Sequence, residues 1–271
     1  MRILQMGSSY EKILAEMGAL AAVCGTENTP APNYPTPAEA LESERFDGVA
    51  AGPLCTSAEI IPMLEAKKHV FAENPAYLHA DWTDMTDTAR KNRVILACSY
   101  PDRFNPALNT IRDCIKNKTY GDLVTMQFWR GGAGRMMEDV SIHCMDAAFW
   151  LSGMTPHVVF ARGADNHATV MAGYDNNITT VISCSRAAIS RVSATLNVTV
   201  SADLLSQETE ADGRQISGGK WRDPRLLEMQ GFADAINGKK SHIACPQEAA
   251  DTARAARAAL LSSQKGIPVY L

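Results

Sequence analysis

The chain has 271 residues, 46% hydrophobic and 21% charged, with a formal net charge of −4. This is long enough for one large or two modest domains with a well-buried core, and the acidic balance without any Lys/Arg block excludes a general nucleic-acid binder. The start at Met1-Arg2-Ile3-Leu4 shows neither a basic leader nor a long apolar stretch, so no signal peptide or membrane span is expected.

Residues 2–6 form a short apolar strand that ends at Gly7. A helical pattern over residues 10–17 places Ile13, Leu14 and Met17 on one side, Gly18 stops it, and residues 20–24 are a second buried strand. Strand, glycine turn, helix, strand opens a parallel α/β sheet. Residues 26–37 are rich in Pro, Asn and Thr and predict a loop, with a short helix starting at Pro37. The alternation resumes with a strand at 47–51, a helix at 57–66, a strand at 69–72, a helix at 81–92 and a strand at 94–98. A helix over 105–116 follows, with Leu108, Ile111 and Ile115 inward and Asn105 as its N-cap ahead of Pro106. The pattern then turns to period two. Val124, Met126 and Phe128 share one face; so do Ile178, Thr180 and Ile182, after a turn at Asp175-Asn176-Asn177. A run from Ser193 to Val200 sets Ala194, Leu196, Val198 and Val200 opposite a polar face. Two helices, 225–236 and 246–263, and a short strand at 269–271 close the chain. The expected fold class is α/β: a Rossmann-like parallel sheet over residues 1–101, then an α+β domain over 102–271 with an open, mostly antiparallel sheet.

The seven cysteines, Cys24, Cys55, Cys98, Cys114, Cys144, Cys184 and Cys245, are scattered with no Cys-x-x-Cys. That fits reduced thiols in a cytoplasmic protein better than a disulfide or zinc framework. The segment from Glu138 to Asp146 carries the chemistry. Asp139 and His143 are four apart, which on a helix puts a carboxylate and an imidazole side by side, able to share a proton near neutral pH. The alternative is a His that pairs structurally. Cys144 points about 100° away from His143 and is no dyad partner. No second His joins Glu138, Asp139, His143 and Asp146, so no metal site is expected.

The order of segments resembles the glucose-fructose oxidoreductase / inositol dehydrogenase / MocA family over nearly the whole chain. The resemblance rests on Lys68-His69-Val70-Phe71-Ala72-Glu73-Asn74-Pro75, Arg103-Phe104-Asn105-Pro106, Tyr120-Gly121-Asp122-Leu123-Val124, Asp139-x-x-x-His143-x-x-Asp146 with Phe149-Trp150-Leu151-Ser152-Gly153, the stretch Gly231 to Gly238, and Gly266-Ile267-Pro268-Val269. It implies an NAD(P)-dependent oxidoreductase fold with a lysine, an aspartate and a histidine as catalytic set. Asp139 and His143 match; Asn74 stands where the lysine belongs, and can hydrogen bond but carries no charge. The glycine loop is Gly7-Ser8-Ser9-Tyr10-Glu11-Lys12, with only the first glycine kept. Gly25 replaces the acid that would grip a ribose hydroxyl, and no helix follows the second strand.

These losses lead to the expectation of a small-molecule enzyme that has given up NAD(P) and performs non-redox acid/base chemistry, with His143 as general acid/base and Asp139 orienting it. Arg103, Asn74, Tyr100, Trp129 and Arg130 are the expected substrate contacts: a guanidinium clamp, a motif residue, a sheet-edge tyrosine and a strand end beside the loop Gly131-Gly132-Ala133-Gly134. The alternative is an atypical NAD(P)-dependent oxidoreductase on a sugar, polyol or related molecule, with Gly7, Ser8 and Ser9 at the cofactor. A non-catalytic ligand sensor is a third class. No nucleic-acid or membrane partner is expected, and a homodimer or homotetramer through the C-terminal sheet is.

Overall fold

A computed structural model describes residues 1–25, 29, 31–73, 82–186, 189–218 and 220–271. In chain order the first elements are β1 (Ile3–Met6), α1 (Glu11–Glu16), β2 (Leu20–Cys24), β3 (Asn33–Tyr34), α2 (Pro37–Ser43), β4 (Gly48–Ala51), α3 (Ser57–Glu65), β5 (His69–Ala72), α4 (Trp82–Asn92) and β6 (Leu96–Cys98). Then come α5 (Pro106–Lys116), β7 (Thr125–Gly131), α6 (Ser141–Ser152), β8 (Val158–Ala164), β9 (His167–Gly173), β10 (Thr179–Ser185), β11 (Ser190–Thr195), β12 (Thr199–Asp203), β13 (Glu208–Ala211) and β14 (Arg214–Ser217). The chain ends with α7 (Pro224–Ile236), α8 (Pro246–Lys265) and β15 (Val269–Tyr270).

Two units divide these elements: Met1–Tyr100 with Arg225–Ala249, and Pro101–Pro224 with Ala250–Leu271. A linear division at residue 101 therefore leaves out the return of α7 to the first unit. That return is driven by packing: Phe232 of α7 stands 5.5 Å from Phe71 of β5, which itself meets Tyr10 edge-on at 5.1 Å. All three rings are buried.

The first unit holds a six-stranded sheet in the order β3-β2-β1-β4-β5-β6, parallel throughout. Its strands β1, β4 and β6 are buried at every position, because a parallel sheet is covered on both faces and so selects continuous apolar runs. The direction of winding reverses at β1, flanked by β2 and β4, and the crevice beyond the carboxyl ends of such strands is where open α/β sheets take ligands. Local signals fix the helices. Pro37 begins α2 with Thr36 accepting from the Glu39 amide at 3.3 Å, and Thr56 and Glu59 form a capping box on α3. The stretch expected as loop over 26–37 contains β3, which pairs in parallel with β2.

The second unit holds a nine-stranded sheet, β14-β13-β12-β11-β7-β10-β9-β8-β15, antiparallel except for the β7/β10 pair. The expected α/β class with a mostly antiparallel second sheet is borne out. Alternation is strict: Met126 and Phe128 of β7 and Thr180, Ile182 and Cys184 of β10 are buried, and α6 packs against both strands. The run expected from 193 to 200 is instead a hairpin. Thr195 pairs with Thr199, and the Leu196 amide donates to the Val198 carbonyl across the turn at Asn197. Alternation of side chains is unchanged by a tight turn of odd length, which is why the pattern alone did not disclose it. Among the described residues no helix is long and apolar enough to cross a membrane.

Candidate active site

Gly7 ends β1 at φ +60°, a left-handed conformation that favours glycine, and open space lies where its side chain would project. Gly52 follows β4 and comes so close that a Cβ there would stand 2.0 Å from the Gly7 carbonyl oxygen. The two glycines let β1 and β4 turn away side by side. Beside them opens a pocket of about 260 Å³, lined by Met6, Gly7, Cys24, Gly25, Pro35, Pro37, Leu54, Cys55 and Glu59. Gly25 also has positive φ, +70°, and open space beyond its Cα. The Cys24 thiol is pushed up to about 11 by burial, then by Cys55 and Glu39.

A carboxylate organises the rest of the glycine loop. Glu73, at the end of β5, accepts from the Ser8 hydroxyl, from the Ser9 amide at 2.5 Å and from the Ser9 hydroxyl at 2.8 Å. Arg225 of α7 donates to the same Ser9 hydroxyl and lies 4.2 Å over the Tyr10 ring. Tyr10 donates to Glu228, which is fully buried and also accepts from Ser99 Oγ at 3.0 Å and from the Tyr100 amide at 2.5 Å. Burial, then the Glu228 carboxylate, raises the Tyr10 phenol well above its ordinary value. Tyr100 is itself 2% exposed, so its ring is core rather than an open sheet-edge contact.

In the second unit, the chain enters α6 through one π-helical turn, Met136–Val140. Asp139 therefore lies in that turn and not on the α-helix with His143, which corrects the shared-face geometry expected from the four-residue spacing. Its carboxylate accepts from the Arg135 amide at 2.8 Å and pairs with the Arg135 guanidinium at 3.3 Å. Gly134, at φ +97°, leaves the room this needs: a Cβ there would meet Asp139 Oδ2 at 2.9 Å.

His143 sits with its Nδ1 shielded from solvent. Its pKa is lowered to about 4, first by burial; Asp102 opposes this, Arg130 adds to it, and Asp139 exerts the smallest, opposing effect. Arg130 and Asp102 are themselves joined, Arg130 Nη1 donating to both carboxylate oxygens at 3.0 and 2.8 Å. Behind His143 along α6, Asp146 takes a fork from Arg103, Nε at 2.9 Å and Nη2 at 2.7 Å, with both side chains buried. Cys144 hydrogen bonds to Cys184; that contact and burial raise its thiol well above its ordinary value, so it is no nucleophile.

Of the residues singled out in the sequence, His143 and Arg130 come together. Trp129 does not join them: alternation along β7 turns it to the sheet face opposite Phe128 and Arg130. Arg103 is committed to Asp146 and is a structural pair rather than an open clamp. Asn74 lies outside the described residues. Sequence reasoning missed Asp102, Arg135, Glu73, Glu228 and Arg225 as partners. Glu73 had a signal, since it heads the Glu73-Asn74-Pro75 motif at a strand end; Glu228 is 218 residues from Tyr10 and had none. Among the described residues no group of three or more His, Cys, Asp or Glu side chains is placed to hold a metal.

The first unit is a doubly wound parallel sheet with a pocket at its switch point, and the second is an α+β unit carrying the half-buried His143. No family model matches the chain. It is 28% identical over 148 residues to the myo-inositol 2-dehydrogenase of Thermotoga maritima, a match over 48% of this chain and 43% of that protein. It is 24% identical over 250 residues to an uncharacterized oxidoreductase of Bacillus subtilis, covering 76% of this chain and 72% of that one. The solved structure of a UDP-N-acetylglucosamine 3-dehydrogenase from Acidithiobacillus ferrooxidans superposes with TM-score 0.83 at 19% identity, over 98% of each chain. These likenesses show the fold and agree with the resemblance of the sequence to the glucose-fructose oxidoreductase / inositol dehydrogenase / MocA family.

These relatives overturn the expectation of a cofactor-free, non-redox acid/base enzyme, since they are dehydrogenases and oxidoreductases. The physical reason for the error lies in the loop. Ser9, Lys12 and Gly25 depart from the glycine fingerprint, but the pocket depends on Gly7 and Gly52, which the fingerprint reading did not combine.

Proposed function

We propose that the protein is an NAD(P)-dependent oxidoreductase acting on a polyhydroxylated small molecule of the sugar or polyol class. The observation that carries this is the pocket beside Gly7, at the reversal point of the parallel sheet, with two positive-φ glycines opening onto it. Gly7, Ser8 and Ser9 would hold the cofactor side. The dinucleotide, when bound, supplies the hydride acceptor.

The second unit supplies the proton chemistry. With a pKa lowered to about 4, His143 is neutral at pH 7 and can take the proton of a substrate hydroxyl as general base. Burial keeps the imidazole unprotonated, Asp102 opposes this, and Arg130, which pairs with Asp102, adds to it. Asp139 acts on His143 through its field while Arg135 fixes its carboxylate. Asn74 in the lysine's place can orient a hydroxyl but supplies no charge, so proton transfer falls to His143. The test is titration of the protein with NADH and NADPH by fluorescence, followed by a screen of cyclic polyols and aldoses for nicotinamide reduction. Absence of binding by either dinucleotide overturns the reading.

A further inference from the structure

Two thiols of the second unit touch each other. Cys144 lies on α6, one residue after His143, and Cys184 lies on β10. Both are buried, at 2% and 3% exposure, and their side chains share a hydrogen bond. Cys184 is the register partner of Arg130 on β7, and the Arg130 guanidinium lies near enough to act electrostatically on both sulfurs. The pair therefore joins the helix that carries His143 to the strand that lies beside Arg130. Cys24 and Cys55, which line the pocket of the first unit, are held differently: the Cys55 thiol donates to the Met6 carbonyl at 3.1 Å.

The contact raises the Cys144 thiol, so its S–H is the donor and Cys184 the acceptor. Cys184 is thus the sulfur that meets an oxidant, and Cys144 the one that closes the bond. Burial restricts the oxidant to a small neutral molecule, and hydrogen peroxide is one. Cys184 attacks one peroxide oxygen, the O–O bond breaks, and the thiol proton leaves with the departing hydroxide as water, which gives a sulfenic acid. The Cys144 sulfur then attacks the Cys184 sulfur. An S–S bond forms, the S–O bond breaks, and the hydroxide takes the Cys144 proton as a second water. The two thiols together give up two electrons, and one peroxide takes them.

We propose that Cys144 and Cys184 are a thiol–disulfide switch, closed by peroxide, that acts on the position of His143. A disulfide holds its sulfurs about 2.05 Å apart, well inside hydrogen-bond contact. Closing it draws the first turn of α6 onto β10, and His143 is the neighbour of the sulfur that moves. A displacement of about 1 Å at a catalytic group can lower turnover about 10²-fold. The effect on activity rests on the role proposed for His143 above; the bond itself does not.

The experiment treats the reduced whole chain with stoichiometric hydrogen peroxide. The intact mass should drop by two hydrogens, and a non-reducing peptide map should join Cys144 to Cys184. The His143 ring signals in an NMR spectrum, which need no substrate, should move and then return with dithiothreitol. Nicotinamide-dependent turnover should fall by about 10- to 10²-fold and recover with the same dithiol. Cys184→Ala and Cys184→Ser should keep the reduced activity and lose its sensitivity to peroxide. No loss of mass, or a bond between Cys24 and Cys55 in place of this one, overturns the proposal. So does the expected bond with unmoved His143 signals. Signals that move in a protein whose reduced form has no nicotinamide-dependent turnover uphold the switch and overturn the oxidoreductase reading. Signals that move with turnover undiminished uphold the switch and remove His143 from the chemistry.

Discussion

The two units bury carboxylates in opposite ways. In the first, Glu73 and Glu228 accept from neutral donors, namely serine hydroxyls, a tyrosine and backbone amides, and Arg225 donates to Ser9 and lies over the Tyr10 ring. In the second, Asp102 and Asp146 are each matched to one guanidinium. Neutral donors hold a carboxylate in place but leave its charge in the field; a fork-shaped guanidinium cancels it. The first unit is thereby acidic around its glycine loop, which suits discrimination among anions. The second pairs its carboxylates with guanidinium groups around His143, whose imidazole stays unprotonated chiefly because it is desolvated. The difference teaches that the same residue type serves selectivity in one unit and proton transfer in the other, according to what it is paired with.

The sharpest way to break this comparison is at His143. His143→Gln should reduce turnover by about 10²–10⁴-fold, the usual contribution of a positioned acid/base, with dinucleotide affinity unchanged. The pH dependence has a definite sign. The folded pKa is lowered to about 4 from 6.5, so the unfolded chain binds more protons between those values. This residue's contribution to stability is complete above the unfolded value and is lost as pH falls from about 6.5 to about 4. The wild-type melting temperature should fall more steeply over that window than that of His143→Gln. kcat/KM should hold well below pH 6 and decline towards pH 4. A histidine titrating near 6.5 in both the activity profile and the melting curve would remove the neutralised-cluster argument.

Next in size is the buried pair behind it. Asp146→Ala leaves the Arg103 guanidinium buried without its fork and should cost about 3–5 kcal/mol in urea unfolding. The double change Arg103→Met with Asp146→Leu should recover most of that loss, because neither charge then remains to be desolvated. A single change costing under about 1 kcal/mol would mean the pair is solvated. In the first unit the corresponding test is steric. Gly52→Ala forces a methyl into the Gly7 carbonyl, and the atom it meets is backbone that cannot swing aside. We expect about 1–3 kcal/mol of destabilisation, together with loss of dinucleotide binding as the loop shifts.

What was legible in the sequence follows the range of the interactions. The parallel sheet was readable because fully buried strands such as Val49-Ala50-Ala51 are continuous apolar runs. His143 was readable because it sits in a short motif on one helix. Asp139 was readable as a residue but not as a geometry, since a π turn leaves no mark in a four-residue spacing. The strand hairpin at Asn197 hid inside an unbroken alternation. Arg103 was visible as a motif residue and a candidate clamp, yet whether it would meet a ligand or Asp146 depended on a partner 43 residues away. The cofactor side misled for another reason. Fingerprint glycines were weighed one at a time, whereas the turn is made by Gly7 against Gly52, from two different strands.

The smallest effect is the most direct test of the acidic loop. Glu73 holds Ser8 and Ser9 with three hydrogen bonds, one of them to a backbone amide in the turn that would face a pyrophosphate. Glu73→Gln keeps the shape and an acceptor oxygen but removes a negative charge. Two effects then compete. The loop loses part of its anchoring, since hydrogen bonds to a charged acceptor are stronger than neutral ones by about a factor of two. The incoming anion loses a repulsion that solvent and Arg225 already screen in part. We expect the second to win, because the amide side of Gln can still reach one serine, and NADH affinity should rise a few-fold. The gain should shrink as salt is raised from low to physiological strength, where charges about 8 Å apart are largely screened. A loss of affinity that is insensitive to salt would show that Glu73 acts by anchoring the turn alone. The contrast between an acidic loop and a neutralised histidine cluster would then be one of architecture and not of charge.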